Sequence, residues 1–143
     1  MSIEILVVVT SHGRVSKIVE SGKLIGISIK EGGSDSLDGL EDGFDWSDLV
    51  RDIEWGIVTP FRRLVFEALL DNVPRGSLIT YSELASAAGS PGSSRAVGSA
   101  LSSNPWPLVV PCHRVVRSNG HIGPYSAGSG IFTKRSLLVS EGL

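Results

Sequence analysis

Between Thr59 and Leu101 three helical stretches are separated by two sharp breaks, and this punctuation leaves the chain few folds. Thr59 offers an N-cap oxygen, and Pro60 suits the first helical position, where its missing N–H is not needed. Phe61, Leu64, Val65, Ala68 and Leu69 recur at helical spacing and predict a helix to about Asp71. Pro74-Arg75-Gly76-Ser77 breaks it. Leu78-Ile79-Thr80-Tyr81 leads into a second, short helix over 82–88, which Gly89-Ser90-Pro91-Gly92 stops. Ser93 or Ser94 opens a third, Arg95-Ala96-Val97-Gly98-Ser99-Ala100-Leu101. Two short helices across a glycine-containing turn are the pattern of a helix-turn-helix.

The first 55 residues read differently. Ile3 to Val9, Val15 to Val19 and Leu24 to Ile29 are short apolar runs, with a turn at Ser11-His12-Gly13-Arg14, and they predict strands. Residues 31–45 are glycine-rich and acidic with few apolar anchors, which predicts a loop or a short frayed helix. The expected fold class is α+β. A small N-terminal β-containing domain over 1–55 would precede a mainly helical C-terminal domain over 56–143 with a helix-turn-helix, winged-helix-like motif. No apolar run approaches the ~18 to 20 residues of a membrane span. Glu4 interrupts the first run and no basic leader accompanies it, so it reads as a strand, and a soluble, cytoplasmic protein is expected.

A net charge of −2 does not by itself suit a partner of nucleic acid, but the charge is unevenly placed. Residues 1–55 carry five basic side chains against eleven acidic, a net of −6, and residues 56–143 carry eight against four, a net of +4. Polyanion binding needs a local basic surface, so DNA remains open. In a helix-turn-helix the second helix meets DNA, and helices that read base edges carry long polar side chains. Here the small Ala96, Gly98, Ser99 and Ala100 allow close approach to a backbone but read few bases. Contact through Ser94, Ala96 and Gly98 should be weakly sequence-specific. Arg95 is the exception, able to meet a phosphate or to enter the space left by an unstacked base.

Cys112 is the only cysteine, set in Pro111-Cys112-His113-Arg114-Val115 after Asn104-Pro105-Trp106-Pro107 and Leu108-Val109-Val110. One cysteine excludes an internal disulfide and a thiolate zinc cluster. A free thiol is ordinarily a small buried hydrophobe, yet one beside a histidine is a candidate nucleophile. Pro111 suits the first turn of a helix, which predicts Cys112 near a positive helix end, where a thiolate is favoured. A thiol with the ordinary pKa of about 8.5 is only a few per cent ionised at neutral pH, so a base is needed. His113 adjoins it, but consecutive helical side chains diverge, and a bridging water is the expected link.

Tyr81, Arg95-Ala96-Val97-Gly98, Asn104-Pro105-Trp106-Pro107, Pro111-Cys112-His113-Arg114-Val115, Tyr125-Ser126 and Glu141-Gly142 closely resemble the O6-alkylguanine-DNA alkyltransferase family, in order and over roughly residues 57–143. The N-terminal segment offers only a compatible length and strand content, as a reduced ribonuclease H-like domain. The resemblance implies a monomeric DNA repair protein acting on double-stranded DNA that contains O6-alkylguanine, with O4-alkylthymine as a further substrate. It would flip the base out of the duplex and move the alkyl group to its own Cys112 in a single turnover. Extrusion costs a few kcal/mol, less for a weakly paired damaged base. Arg95 would fill the vacancy, and Tyr81 would crowd the phosphate and donate a proton to the leaving guanine. His113 would act as base through water, oriented by Glu141, with Asn104 joining the segments around the site. The backbone at Val115 and Ser126, with Tyr125 and Trp106, would form the base pocket. Arg114 would be a supporting residue outside the catalytic set, and His121 would face solvent.

Two departures from the family pattern stand out: the segment 126–131 is about two residues longer than the common arrangement, and Ala127 stands where glycine is frequent. Some members bind zinc in the N-terminal domain through cysteines and histidines. This segment has His12 and no cysteine, so no metal and no cofactor is expected. The rival readings are an alkyltransferase-like lesion binder, a class that replaces the cysteine and is therefore disfavoured by Cys112, and a thiol hydrolase. The latter needs a histidine folding against the thiol from elsewhere, for which only His12 and His121 are available.

Overall fold

The structure, a computed structural model, describes residues 3–10, 13–30, 46–128 and 130–143. The predicted turn residues Ser11 and His12 and the predicted loop over 31–45 lie outside the described residues. Strands β1 (Ile3–Thr10), β2 (Gly13–Glu20) and β3 (Lys23–Lys30) form an antiparallel sheet in sequence order. Only Ser21 and Gly22 connect β2 to β3, with φ of 51° and 80°. Two positive φ values make a type I′ turn, whose twist matches that of the strands it joins. Val15, Leu24, Ile27 and Ile29 point into the core, while Ile3 and Ile5 are exposed.

Two 3-10 segments, Trp46–Asp52 and Trp55–Ile57, lead to helix α1 (Pro60–Asn72). Thr59 caps it as the sequence predicts, its Oγ1 accepting from the Arg62 N–H at 3.3 Å. Strand β4 (Ile79–Thr80), helix α2 (Tyr81–Ala87) and helix α3 (Ser94–Ser102) follow, and α2 with α3 makes the helix-turn-helix pair. Helix α2 starts one residue earlier than expected because Thr80 and Glu83 form a capping box. Thr80 Oγ1 accepts from the Glu83 N–H at 3.2 Å, and Glu83 Oε1 accepts from the Thr80 N–H at 3.0 Å. Tyr81 thereby becomes the first helical residue, anchored on both sides of its backbone. Strand β5 (Val115–Val116) pairs in parallel with β4, and helix α4 (Ile131–Ser140) follows.

One buried cluster joins the sheet to the helices through Leu24, Val65, Phe66, Leu69, Leu84, Val97, Val109 and Val110, with Trp106 fully enclosed among them. The Trp106 ring meets Trp55 at 5.5 Å and Phe66 at 6.2 Å between centroids, both edge-on. Its Nε1 donates to the Leu24 carbonyl at 3.0 Å, so the buried indole N–H is satisfied. The Ile27 N–H likewise donates to the Pro105 carbonyl at 2.8 Å. These contacts bond the sheet to the segment just ahead of the cysteine. They also correct the expected place of Trp106: its ring belongs to the core, not to a base pocket, because its stacking and hydrogen-bond partners all lie there. The mixed architecture is that of the α+β class expected. Among the described residues no helix is long and apolar enough to cross a membrane.

Candidate active site

Cys112 lies in a single 3-10 turn, Cys112–Arg114, with Pro111 just before it. Three residues sum too few peptide dipoles to make a helix N-terminus, so the expected helical stabilisation of a thiolate is replaced by a different environment. Burial pushes the thiol pKa up, opposed by a hydrogen bond from Asn104 and by the charge of Lys134. The resting group is a neutral thiol. Asn104, itself buried, donates through Nδ2 to Cys112 Sγ at 3.2 Å and to the Val110 carbonyl at 3.1 Å. Its Oδ1 accepts from the Trp106 N–H at 2.9 Å. One amide thus joins three points of the loop. Within that loop Leu108 has a φ of 77°, a left-handed conformation that costs on the order of 1–2 kcal/mol for a side chain with a Cβ. The buried Val109 and Val110 beside it hold the backbone there.

His113 Nε2 and Glu141 Oε2 are 2.6 Å apart, with both side chains nearly inaccessible to solvent. Burial lowers the His113 pKa, against the hydrogen bond and charge of Glu141, which raise it, so the imidazole is neutral at pH 7. Burial would raise the Glu141 carboxyl, but hydrogen bonds from His113, Arg114 and the Gly76 N–H hold it at about 2. The carboxylate can only accept, which assigns the imidazole proton to Nε2 and leaves Nδ1 with a lone pair. Nδ1 is buried without a hydrogen-bond partner among the described residues. The geometry is that of an oriented base whose free nitrogen is unused.

Both groups bind fewer protons folded than unfolded, so acid costs stability. Their contributions are complete above pH 6.5, and Glu141's is lost as pH falls from 4.5 towards 2. A Glu141→Gln variant should lose about 3 kcal/mol at pH 7, because Arg114 keeps its charge without its carboxylate. It should also lose the acid-dependent part between pH 4.5 and 2. Urea midpoints at pH 7 and in that acid window measure both effects.

The DNA-facing candidates meet in a groove of about 650 Å³ lined by Tyr81, Ser82, Ser94, Arg95, Gly98, Ser99, Ser102, Arg117, Ser118, Asn119 and Pro124. Ala96 is exposed on α3 but does not line it. A Cβ built at Gly98 meets nothing within 4 Å, so the missing side chain leaves the groove open there. Tyr81 is half-buried at one wall, and burial raises its pKa while the Arg117 charge opposes this, so it is a protonated donor. Among the pocket candidates, Val115 is buried with its carbonyl accepting from Lys134 Nζ at 2.6 Å, and Ser126 is exposed. The Tyr125 hydroxyl is near enough to Cys112 to affect both ionisations but is not in hydrogen-bond geometry with it. In the longer segment near Ser126, Gly128 has a φ of 56° and a Cβ there would stand 2.6 Å from Thr133 Oγ1, so only glycine fits against α4. His121 is exposed, and His12 lies outside the described residues.

Two further charged residues support the site, Arg114 in the role expected of it and Lys134, which the sequence did not single out. Arg114 donates through Nε and Nη2 to the two Glu141 oxygens, at 2.8 Å and 3.2 Å, and through Nη1 to the Val73 carbonyl at 3.0 Å. It therefore supports the His113 orienter from behind. Lys134 is fully buried, with Nζ donating to the Val115 and Pro124 carbonyls, and burial lowers its pKa to about 8. The spacing to the buried Leu137 and Leu138, three and four residues on, is the signal that places Lys134 on the inner face of α4.

Residues 60–143 match the family described as 6-O-methylguanine DNA methyltransferase, DNA binding domain. The methylated-DNA–protein-cysteine methyltransferase of Methanothermobacter thermautotrophicus is 47% identical over 107 residues, covering 75% of this chain and 56% of that protein. That of Thermococcus kodakarensis is 50% identical over 99 residues, covering 69% of this chain and 54% of its own length. The chain thus spans about half the length of the curated relatives it matches. The crystal structure of O6-methylguanine-DNA methyltransferase from Pyrococcus kodakaraensis superposes with a TM-score of 0.76 at 34% identity, over 99% of this chain and all of that one. With more than half of its residues matched by the family, the chain belongs to the 6-O-methylguanine DNA methyltransferases through their DNA-binding domain.

Proposed function

We propose that this chain repairs duplex DNA in the cytoplasm as a monomer, moving an O6-alkyl group from guanine to Cys112 Sγ in one irreversible turnover. The same chemistry extends to O4-alkylthymine. The observation that carries the reading is that one 3-10 turn holds, on consecutive residues, an amide-anchored neutral thiol and a neutral imidazole whose outer nitrogen is committed to a buried carboxylate. The proton leaves Sγ through a water to His113 Nδ1, Glu141 stabilises the resulting imidazolium, and the sulfur attacks the alkyl carbon. The C–O6 bond breaks as the S–C bond forms. Tyr81 donates its proton at the edge of the guanine, which leaves neutral, and the proton taken up by His113 balances the charge left on the Tyr81 oxygen until solvent returns it. No step returns the alkyl group, and the thioether has no further nucleophile to offer.

Extrusion of the base is the part assigned to α2 and α3. Arg95 enters the stack as the base leaves, Ser94, Ala96 and Gly98 let the backbone approach, and Val115, Tyr125 and Ser126 surround the base. Within the N-terminal domain assigned to 1–55, strand β3 buttresses the Asn104–Trp106 segment through Leu24 and Ile27. A DNA partner also suits the net charge of +4 carried by residues 56–143. A homologous Mycobacterium tuberculosis OGT, 26% identical, has been crystallised in complex with DNA. Arg95→Ala tests the extrusion step. It should slow transfer from an O6-methylguanine duplex at least tenfold more than transfer from the free base. Equal losses with both substrates would remove the finger role.

A further inference from the structure

Arg117 is exposed, forms no ion pair with a carboxylate among the described residues, and lines the groove from outside the helix-turn-helix pair. It is held in a tight turn: its N–H donates to the His121 carbonyl at 2.9 Å, and its own carbonyl accepts from the Gly120 N–H at 3.2 Å. Its aliphatic stem packs beside Gly123, where a built Cβ would stand 3.6 Å from Arg117 Cγ, 3.2 Å from the Tyr81 hydroxyl and 3.5 Å from Lys134 Nζ. The stem is therefore positioned next to Tyr81 while its cationic end remains available. Arg95 lines the same groove and supplies a second guanidinium, and Ser82, Ser94 and Ser118 supply hydroxyls. Not one lining residue is acidic.

We propose that Arg117 is a phosphate-binding residue that grips the strand carrying the extruded nucleotide, in the groove it shares with Arg95 and beside Tyr81. The inference rests on the DNA repair reading above and extends it to a residue outside the helix-turn-helix. A guanidinium presents a planar fork of donors that fits two oxygens of one phosphate, and serine hydroxyls on either side complete its coordination. A phosphate held there lies against the Tyr81 hydroxyl, so that Arg117 delivers the backbone to the side chain that crowds it. Contact of this kind is independent of base sequence and carries a salt dependence of about one counterion.

The test compares the parent, Arg117→Ala and Arg117→Lys on a duplex containing O6-methylguanine, with binding measured at several salt concentrations and transfer measured on duplex and on free base. Arg117→Ala should lower the slope of log affinity against log salt by about one, and Arg117→Lys should restore it. Duplex transfer at subsaturating protein should fall at least tenfold more than free-base transfer. An unchanged salt slope, or equal losses on both substrates, overturns the proposal, the latter by making Arg117 a support for Tyr81 only. A parent that moves no methyl group to Cys112 would instead overturn the repair reading, which separates the two failures.

Discussion

Replacing Cys112 with serine should abolish the proposed alkyl transfer while binding to the lesion-containing duplex should persist. The change exchanges one atom, keeps the Asn104 hydrogen bond feasible, and removes the only thiol in the chain. An alcohol in the same buried place is far harder to deprotonate than a thiol and is a poorer nucleophile toward saturated carbon. Quantifying the methyl group on protein after incubation with O6-methylguanine duplex, together with a binding titration, gives the outcome. Transfer by the serine variant would mean that another group accepts the alkyl carbon.

The second large effect belongs to His113→Gln, which should slow transfer by about 10²–10⁴-fold, the usual worth of a positioned base. Its pH dependence is more diagnostic than its size. In the parent the imidazole must be neutral to accept the thiol proton, and burial lowers its pKa from 6.5, so the rate should be level at neutral pH and fall only in acid. Without the base, the rate should follow the thiolate fraction and climb steadily towards the thiol pKa, which burial raises from 9.0. A parent rate that climbs in the same way from pH 7 upward would show that His113 takes no proton. Single-turnover rates across the range separate the two cases.

Much of this was legible in the chain itself, for reasons that differ by element. The first helix and the helix-turn-helix pair follow from local signals: a capping threonine, a proline at the first position, apolar spacing and glycine breaks. Even the early start of α2 was encoded, in the four residues Thr80 to Glu83 that make its capping box. Asn104, Cys112, His113 and Glu141 were marked by their motif, and the structure gathers them by hydrogen bonds. The errors came where partners are remote. Trp106 neighbours the cysteine motif in sequence, but its indole bonds Leu24, 82 residues away, and so belongs to the core. Arg114 is the supporting residue expected, but its partner Glu141, 27 residues away, and the carbonyl partner of Lys134, 19 residues away, lie across turns whose geometry no short-range pattern encodes. Pro111 suggested a helix start. The chain makes one tight turn there instead, since β5 pairing with β4 begins at Val115 and leaves no room for more.

That last difference alters the chemistry. A thiol at a helix end would be partly ionised unaided, whereas this one is buried and neutral, and in the proposed reaction it relies on His113. The central claim is therefore that Cys112, once deprotonated by this pair, accepts the alkyl group and keeps it. The most direct measurement is the mass of the Cys112-containing peptide after the protein meets excess O6-methylguanine duplex. One added methyl on Cys112 is expected, at no more than one equivalent per chain. Repeated turnover, or a methyl group found on any other residue, would contradict it.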